Sequence, residues 1–255
     1  MQKKPIIVAN WKMQLGVTES MQWCMHNKQE LAQLTQQATI VICPSFPMAL
    51  VVGVEAVASG AFIGAQDCCA FEKGAHTGQV AAHMLAQVGC KYCIVGHSER
   101  RLFYRESDEE IAYKAIQVLV NGMIPILCVG ETKEQLEKQQ TFQVLERQLQ
   151  VLAQKIGHIK EEFALIIAYE PVWAIGSGQT PTVQEIEKIA DWILAFCKTT
   201  MPSCLAKVLY GGSVDESVAQ SLSQIQQLDG LLVGGASLDF QKFKNLVSLF
   251  SKLPL

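Results

Sequence analysis

The stretch "FALIIAYEPVWAIGSGQTPT", residues 163–182, has the order of one strand followed by the approach to a helix. Its first seven residues form an apolar run, which predicts a buried strand. A carboxylate, Glu170, follows directly, and Pro171 comes next. Thr182 then begins the pattern Thr182-x-x-Glu185, a capping box that predicts the start of a helix. The stretch therefore predicts one βα unit with a charged residue at the carboxyl end of its strand.

Seven further apolar runs along the chain have the same character. They are "PIIVAN", "TIVIC", "AFIGAQ", "YCIVGH", "IPILCVG", "AKVLYGG" and "GLLVGG". The eight strand centres lie about 32 residues apart on average, which is close to the size of a βα unit. Segments with helical periodicity lie between them, and the clearest predicts one helix over residues 132–157. Eight such units in 255 residues predict an α/β protein with a single (β/α)8 barrel.

An open, doubly wound sheet is the competing architecture. Such a sheet usually has a glycine-rich fingerprint after its first strand, and "ANWKMQLG", residues 9–16, has none. The chain also contains no Pro/Ser-rich linker and no low-complexity tract. We therefore expect one domain over residues 1–255.

Composition and charge exclude several classes of function. The net charge is −3 and only four arginines occur, so no basic patch indicates a nucleic-acid partner. No window approaches 18 consecutive apolar residues, which argues against a membrane span. The nine cysteines are scattered, and an odd count without an export signal predicts reduced thiols in a cytoplasmic protein. Cys90 and Cys93 form a C-x-x-C without a second pair, which favours packing over metal binding.

Unusual polar residues and glycines follow several of the predicted strands. They are Asn10 and Lys12 after the first, His97 after the fourth, Glu170 after the sixth, Gly211, Gly212 and Ser213 after the seventh, and Gly234 and Gly235 after the eighth. Each alone has an ordinary explanation, such as a solvated lysine, a structural histidine or a tight turn. In a (β/α)8 barrel, however, these positions converge at the end where active sites lie. Together they predict one catalytic site.

The glycine pairs favour a phosphate site. Glycine lets backbone N–H groups approach a ligand closely, and the loops after strands seven and eight are a common phosphate location in barrels. Ser213 has an alternative role, because Ser213-x-x-Glu216 could instead cap the following helix. The chain contains no P-loop and no H-E-x-x-H zinc motif. "GHSER", residues 96–100, lacks the last glycine of a nucleophile elbow, which argues against a serine hydrolase.

Over nearly its whole length the chain resembles the triosephosphate isomerase family. The motifs "ANWKM", "GAQDC", "GAHTGQ", "IVGHSERR", "ESDE", "CVGE", "AYEPVWAIGSGQTPT", "YGGSV" and "LVGGASL" occur in the order of that family. The resemblance implies a TIM barrel that interconverts dihydroxyacetone phosphate and D-glyceraldehyde 3-phosphate by proton transfer through an enediolate, in glycolysis and gluconeogenesis. It implies neither a metal nor an organic cofactor.

The resemblance also implies roles for individual residues. Glu170 corresponds to the base, His97 to the electrophile that moves protons between the substrate oxygens, and Lys12 to the cation that stabilises the enediolate, with Asn10 beside it. "SER" after His97 suggests a short helix whose positive end would keep the imidazole neutral. The phosphate-binding groups would come from Gly176 in a closing lid over residues 171–179 and from Ser213, Gly234 and Gly235. The role of Glu99 is left open.

A homodimer is a further implication of the resemblance. The loop over residues 72–79 is similar to one with which this family contacts its partner subunit, and Thr77 would reach the partner's site. Four departures bear on the interface. Gln79 stands where the family usually has a glutamate that pairs with the position of Arg100, so an ion pair would become a neutral hydrogen bond. Asp67 replaces a common asparagine, His76 a common phenylalanine and Gln14 a common asparagine. They predict a weaker interface with unchanged chemistry.

Two other functions compete with the isomerase. A Schiff-base aldolase could use Lys12, although barrel aldolases usually carry that lysine late in strand six, where this chain has Glu170. An inactive scaffold that retains the barrel is the second alternative. The sequence argues against it, because none of the expected catalytic residues is missing.

Overall fold

The computed structural model of the chain describes residues 4–174 and 179–251. Eight parallel strands form a closed barrel in which each strand pairs with its sequence neighbours and the last pairs with the first. The strands are β1 (Ile6–Asn10), β2 (Thr39–Cys43), β3 (Phe62–Ala65), β4 (Tyr92–Val95), β5 (Ile124–Val129), β6 (Phe163–Tyr169), β7 (Cys204–Tyr210) and β8 (Gly230–Val233). Each of the eight predicted runs forms one of these strands, and the predicted (β/α)8 TIM barrel is confirmed.

Helices connect the strands on the outside of the barrel. They are α1 (Val17–His26), α2 (Lys28–Gln37), α3 (Ala49–Ala58), α4 (Ala82–Gln87), α5 (Ser98–Phe103), α6 (Asp108–Val120), α7 (Lys133–Glu137), α8 (Thr141–Ile156), α9 (Val183–Thr200), α10 (Glu216–Leu222) and α11 (Phe240–Ser251). Short 3-10 turns occupy Phe46–Met48, Val172–Ala174 and Gly235–Ser237. Within the described residues, no helix is long and apolar enough to cross a membrane.

The prediction of one helix over residues 132–157 was wrong. The chain forms α7 and α8 there, and Gln139 between them has a left-handed backbone with φ 56°. Thr132 and Gln135 form a complete capping box at the start of α7, which buries none of its residues. The apolar stripe that suggested one long helix lies entirely in α8, so its periodicity carried no information about the preceding turn.

Alternation along the strands divides the apolar residues into two layers. In β1, Ile6 and Val8 face the barrel interior, whereas Ile7 and Ala9 face the helices. In β6, Ile166 and Ala168 face the interior in the same way. Because side chains alternate along a strand, the next inward positions are 10 and 170. This alternation directs Asn10 and Glu170 into the carboxyl-terminal mouth of the barrel.

Candidate active site

A cavity of about 280 Å³ lies at the carboxyl-terminal mouth of the barrel. It is lined by Asn10, Lys12, His97, Glu170, Gly211, Gly212, Ser213, Val214, Leu232, Val233, Gly234, Gly235 and Ala236. The structure therefore brings seven of the eight residues predicted for the site to one cavity, from the ends of five strands. The eighth, Gly176, lies outside the described residues. Leu232, whose side chain packs in the barrel interior, was not predicted as part of the site.

Lys12 reaches this cavity from a left-handed backbone conformation with φ 52°. Its N–H donates to Oδ1 of Asn10 at 3.1 Å, so Asn10 closes the turn after β1. The carbonyl oxygen of Lys12 accepts hydrogen bonds from Gln66 Nε2 at 2.8 Å and from Ser45 Oγ at 2.9 Å. The Lys12 ammonium lies 2.6 Å from Oε1 of Glu99. Residues after β2 and β3 thus stabilise Lys12 in a left-handed conformation, which a non-glycine residue rarely adopts.

His97 occupies the N-cap position of α5. Its Nδ1 atom accepts a hydrogen bond from the backbone N–H of Glu99 at 3.2 Å. A nitrogen that accepts a hydrogen bond carries no proton, so this contact favours the tautomer with its proton on Nε2. Nε2 lies 3.2 Å from Oε1 of Glu170. The short helix expected after His97 is present as α5, and its first turn selects the tautomer.

Glu170 is almost completely buried at the end of β6. Its Oε2 atom accepts the backbone N–H of Ser98 at 2.9 Å, and Oε1 faces His97. The thiol of Cys128 lies beside this carboxylate, and burial followed by the nearby negative charge holds the pKa of Cys128 well above its usual range. A Cβ atom at Gly211 would lie 2.9 Å from Cγ of Glu170. A side chain at position 211 would therefore crowd the Glu170 side chain.

The loops after β7 and β8 contribute backbone groups to the lining of the cavity. Within the described part of the chain, the N–H groups of Gly234 and Gly235 donate no hydrogen bond, and both residues line the cavity. Ser213 also lines it, and its hydroxyl donates to the carbonyl oxygen of Ala174 at 2.6 Å. The alternative helix-capping role of Ser213 is wrong, because Asp215 caps α10 by accepting the N–H of Val218 at 2.9 Å.

The segment after Glu170 is attached to a buried carboxylate. Nε1 of Trp173 donates to Oε1 of Glu131 at 2.7 Å, and the hydroxyl of Tyr169 donates to the same atom at 3.1 Å. The N–H of Val172 donates to the carbonyl oxygen of Glu131 at 3.0 Å. Burial raises the pKa of Glu131, and the hydrogen bond from Trp173 opposes that shift. Glu131 therefore fixes the turn Val172–Ala174 to the end of β5.

A second group of charges lies beneath the rim of the barrel. The buried ammonium of Lys114 lies 2.9 Å from Oδ2 of Asp67 and 2.5 Å from Oε1 of Glu106. Arg100 Nε lies 2.8 Å from Oδ2 of Asp67 and also contacts Glu106. Burial raises the pKa of Asp67 to about 6, although the Lys114 charge acts in the opposite direction. Arg100 therefore has two carboxylate partners in its own chain.

Three supporting residues were missed from the sequence, namely Ser45, Gln66 and Glu131. Each follows a strand end, and Gln66 and Glu131 lie in the motifs "GAQDC" and "CVGE". Their hydrogen bonds join residues at least 23 positions apart, so no local pattern indicates them. Among the described residues, no group of three or more His, Cys, Asp or Glu side chains is arranged to hold a metal ion.

Comparisons with known proteins agree in one family. The family model described as triosephosphate isomerase matches residues 5–250. The chain is 38% identical to the triosephosphate isomerase of Aquifex aeolicus over 247 residues, which cover 96% of this chain and 99% of that protein. It is 38% identical to the one from Thermus thermophilus over 250 residues, with 97% and 99% covered. The corresponding protein of Coxiella burnetii is 36% identical over 247 residues, with 95% and 96% covered.

Proposed function

Because the chain belongs to the triosephosphate isomerase family, it is an isomerase, and we propose that it interconverts dihydroxyacetone phosphate and D-glyceraldehyde 3-phosphate. The observation that carries this proposal is the convergence of Glu170, His97 and Lys12 on one cavity. A buried carboxylate, a neutral imidazole and an ammonium group are the base, the proton donor and the cation that an enediolate requires.

Glu170 is the base in this mechanism. It takes a proton from one substrate carbon and returns it to the neighbouring carbon. To reach the substrate, its carboxylate exchanges the Ser98 N–H for a position over the two carbons. A positioned base contributes about 10²–10⁴-fold to the rate. The remaining acceleration must come from stabilisation of the charge that develops on oxygen.

Lys12 and His97 supply that stabilisation. His97 lines the cavity, and its Nε2–H can donate to a substrate oxygen in place of Glu170. The Lys12 ammonium adds a positive charge, and Glu99 holds it at the cavity wall. Removing one preorganised donor to an oxyanion typically costs about 10²–10³-fold in kcat. Two such donors account for a large part of the acceleration.

Backbone donors bind the phosphate in this proposal. Gly234 and Gly235 line the cavity, their N–H groups donate no hydrogen bond within the described residues, and Gly235 begins a 3-10 turn. Hydrogen bonds from N–H groups to a charged acceptor are worth about 1.5–3 kcal/mol each, so an anion can be held there without arginine. Ser213 and Gly176 complete the proposed phosphate site.

We further propose a homodimer in which the loop over residues 72–79 enters a groove of the second copy. All eight loop residues are exposed. A groove of about 630 Å³ beside the active-site cavity is lined by Met13, Phe46, Met48 and Tyr104 among others, and it has the apolar character that a buried loop needs. We also retain one domain over residues 1–255, a cytoplasmic location and a place in glycolysis and gluconeogenesis as predictions.

The direct test is an assay of the purified chain in both directions, coupled to a dehydrogenase that consumes the product. In deuterated water, a proton-transfer mechanism also introduces deuterium at the substrate carbon next to the carbonyl. A chain that shows neither isomerisation nor exchange would favour the inactive scaffold. Loss of activity on borohydride reduction with substrate, with a label on Lys12, would favour the aldolase instead.

A further inference from the structure

Arg101 of α5 contacts the ends of two strands. Its Nε donates to the carbonyl oxygen of Gly96 at 2.8 Å, and its Nη2 donates to the carbonyl oxygen of Cys128 at 3.0 Å. Its Nη1 lies 2.5 Å from Oδ1 of Asp108. Only 15% of the side chain is exposed. All three nitrogen atoms of the guanidinium group therefore make hydrogen bonds. Arg101 does not itself line the active-site cavity.

The first contact holds the turn that directs His97. Gly96 has a left-handed backbone with φ 67°, which turns the chain immediately before His97. Without this turn, strand alternation would place His97 on the side of Val95, which packs towards the helices. A Cβ atom at position 96 would lie 2.7 Å from Ile111 and 3.1 Å from Nη2 of Arg101, so the turn is closely packed.

The second contact holds the strand behind Glu170. The pairing of β4 with β5 ends at Val95 and Leu127, so the carbonyl of Cys128 lies one residue beyond the ladder. Arg101 donates a hydrogen bond to the carbonyl oxygen of Cys128, in place of a backbone N–H of β4. The side chain of Cys128 faces the barrel interior beside the Glu170 carboxylate, and the next carbonyl, that of Val129, accepts the N–H of Glu170 at 2.8 Å.

We propose that Arg101 is a positioning residue that sets the distance between His97 and Glu170. It fixes the turn before one residue and the strand behind the other through a single planar group. This inference rests on the proposed function of the same site. Lysine cannot replace the arginine fully, because an ammonium group is a point charge without the fixed fork of a guanidinium.

Three variants test the proposal. Arg101→Met removes all three contacts, and Arg101→Lys keeps the charge without the fork. Arg147→Met is the matched control, because Nε of Arg147 lies 3.1 Å from the other oxygen of Asp108 and, among the described residues, donates no hydrogen bond to a strand end. Since a misplacement of about 1 Å can cost about 10²-fold, we expect kcat to fall about 10–100-fold in Arg101→Met and at least about fivefold in Arg101→Lys. KM should change less than about threefold, and kcat of Arg147→Met should stay within about twofold.

A second measurement reports on His97 without any activity. In the wild-type protein, nitrogen-15 NMR should show His97 protonated on Nε2 and unprotonated on Nδ1. In Arg101→Met we expect the turn at Gly96 to loosen and the contact of the Glu99 N–H with Nδ1 to weaken with it. The two ring resonances should then move towards a mixture of tautomers, while those of Arg147→Met stay unchanged. If Arg101→Met does not fold, Arg101→Lys is judged by the same two measurements.

Two outcomes would overturn the proposal. One is a folded Arg101→Met whose kcat stays within about twofold of the wild type. The other is a fall in kcat with unchanged His97 resonances, which would mean that Arg101 does not act through the imidazole. A wild-type protein without isomerase activity would instead refute the proposed function. The NMR comparison would still test the positioning of His97.

Discussion

Nε2 of His97 lies 3.2 Å from Oε1 of Glu170, although the two residues follow different strands and are 73 positions apart. The N–H of Ser98 contacts the other oxygen of the same carboxylate at 2.9 Å. The first residues of α5 and the end of β6 therefore form one unit. In the proposed reaction, that unit delivers the base to carbon and the imidazole to oxygen within one cavity.

Shortening the base should abolish most of the activity. In Glu170→Asp the carboxylate retracts by about one carbon–carbon bond, and a positioned base is worth about 10²–10⁴-fold, so we expect kcat to fall by at least about 100-fold. The coupled assay measures kcat, and thermal unfolding shows whether the fold is retained with little loss of stability. Near-normal turnover in a folded Glu170→Asp would remove Glu170 from its role as the base.

Loss of the ammonium group should affect the charged transition state. In Lys12→Met the oxyanion loses its cation, and we expect kcat to fall by at least about 10²–10³-fold. Lys28→Met is a matched control, because Lys28 pairs with Glu55 at 3.5 Å on the surface and such pairs contribute about 0–1 kcal/mol. The control should keep both kcat and stability. Equal losses in the two variants would show a general effect of charge.

The hydrogen bond between Trp173 and Glu131 should affect both the free energy of unfolding and kcat. Trp173→Phe removes one hydrogen bond from the buried Glu131, at a cost of about 1–3 kcal/mol in the free energy of unfolding. We expect kcat and KM to change as well, because Trp173 lies in the segment that leads from Glu170. Tyr169→Phe is the comparison, since it removes the Tyr169 donor to the Glu131 carboxylate and leaves Val172–Ala174 intact.

Urea unfolding of both variants measures the loss of stability, and steady-state kinetics measure the change in kcat and KM. Tyr169→Phe should lose comparable stability with a smaller change in kcat. The coupling would be disproved by equal kinetic changes in the two proteins.

Asp67 should make stability depend on pH below neutrality. Its pKa is raised from 3.8 to about 6, mainly by burial, so the folded chain holds this proton more tightly than the unfolded chain. Its contribution to stability is therefore complete only below about pH 3.8 and is lost as the pH rises through about 6. A difference of about two pKa units corresponds to on the order of 3 kcal/mol at most.

Urea unfolding of the wild type and of Asp67→Asn at a series of pH values measures this contribution. The free energy of unfolding of the wild type, minus that of Asp67→Asn, should fall between pH 4 and pH 7. Asp191→Asn changes the same charge at an exposed position of α9, and its difference from the wild type should stay nearly constant. Parallel pH curves for the wild type and Asp67→Asn would contradict the prediction.

A charge in the groove should prevent dimerisation. Met13 is 93% exposed in the single chain, so Met13→Glu should leave the fold of one subunit intact while it prevents burial against a second copy. Sedimentation equilibrium should give twice 28.1 kDa for the wild type and 28.1 kDa for the variant at low concentration. Val120→Glu, at an exposed position outside the groove, should remain dimeric. A wild-type monomer would refute the proposed assembly.

Local patterns in the sequence determined the strands and much of the site. Eight apolar runs gave eight strands, since burial on both faces of a parallel sheet requires such runs. Alternation along β1 and β6 was enough to direct Asn10 and Glu170 inward. The glycine pairs after β7 and β8 also line the cavity as predicted.

Only the tertiary structure decided how these residues are held. Ser45 and Gln66 hold Lys12 from the ends of β2 and β3, and Arg101 joins the turn before His97 to the strand behind Glu170. The tertiary structure also decided the break between α7 and α8 and the contact of Ser213 with Ala174. Periodicity reports the face of an element that a residue occupies, because that depends on a few neighbouring dihedral angles. It does not report which carbonyl a distant side chain will meet, because that depends on how the closed barrel brings separate strand ends together.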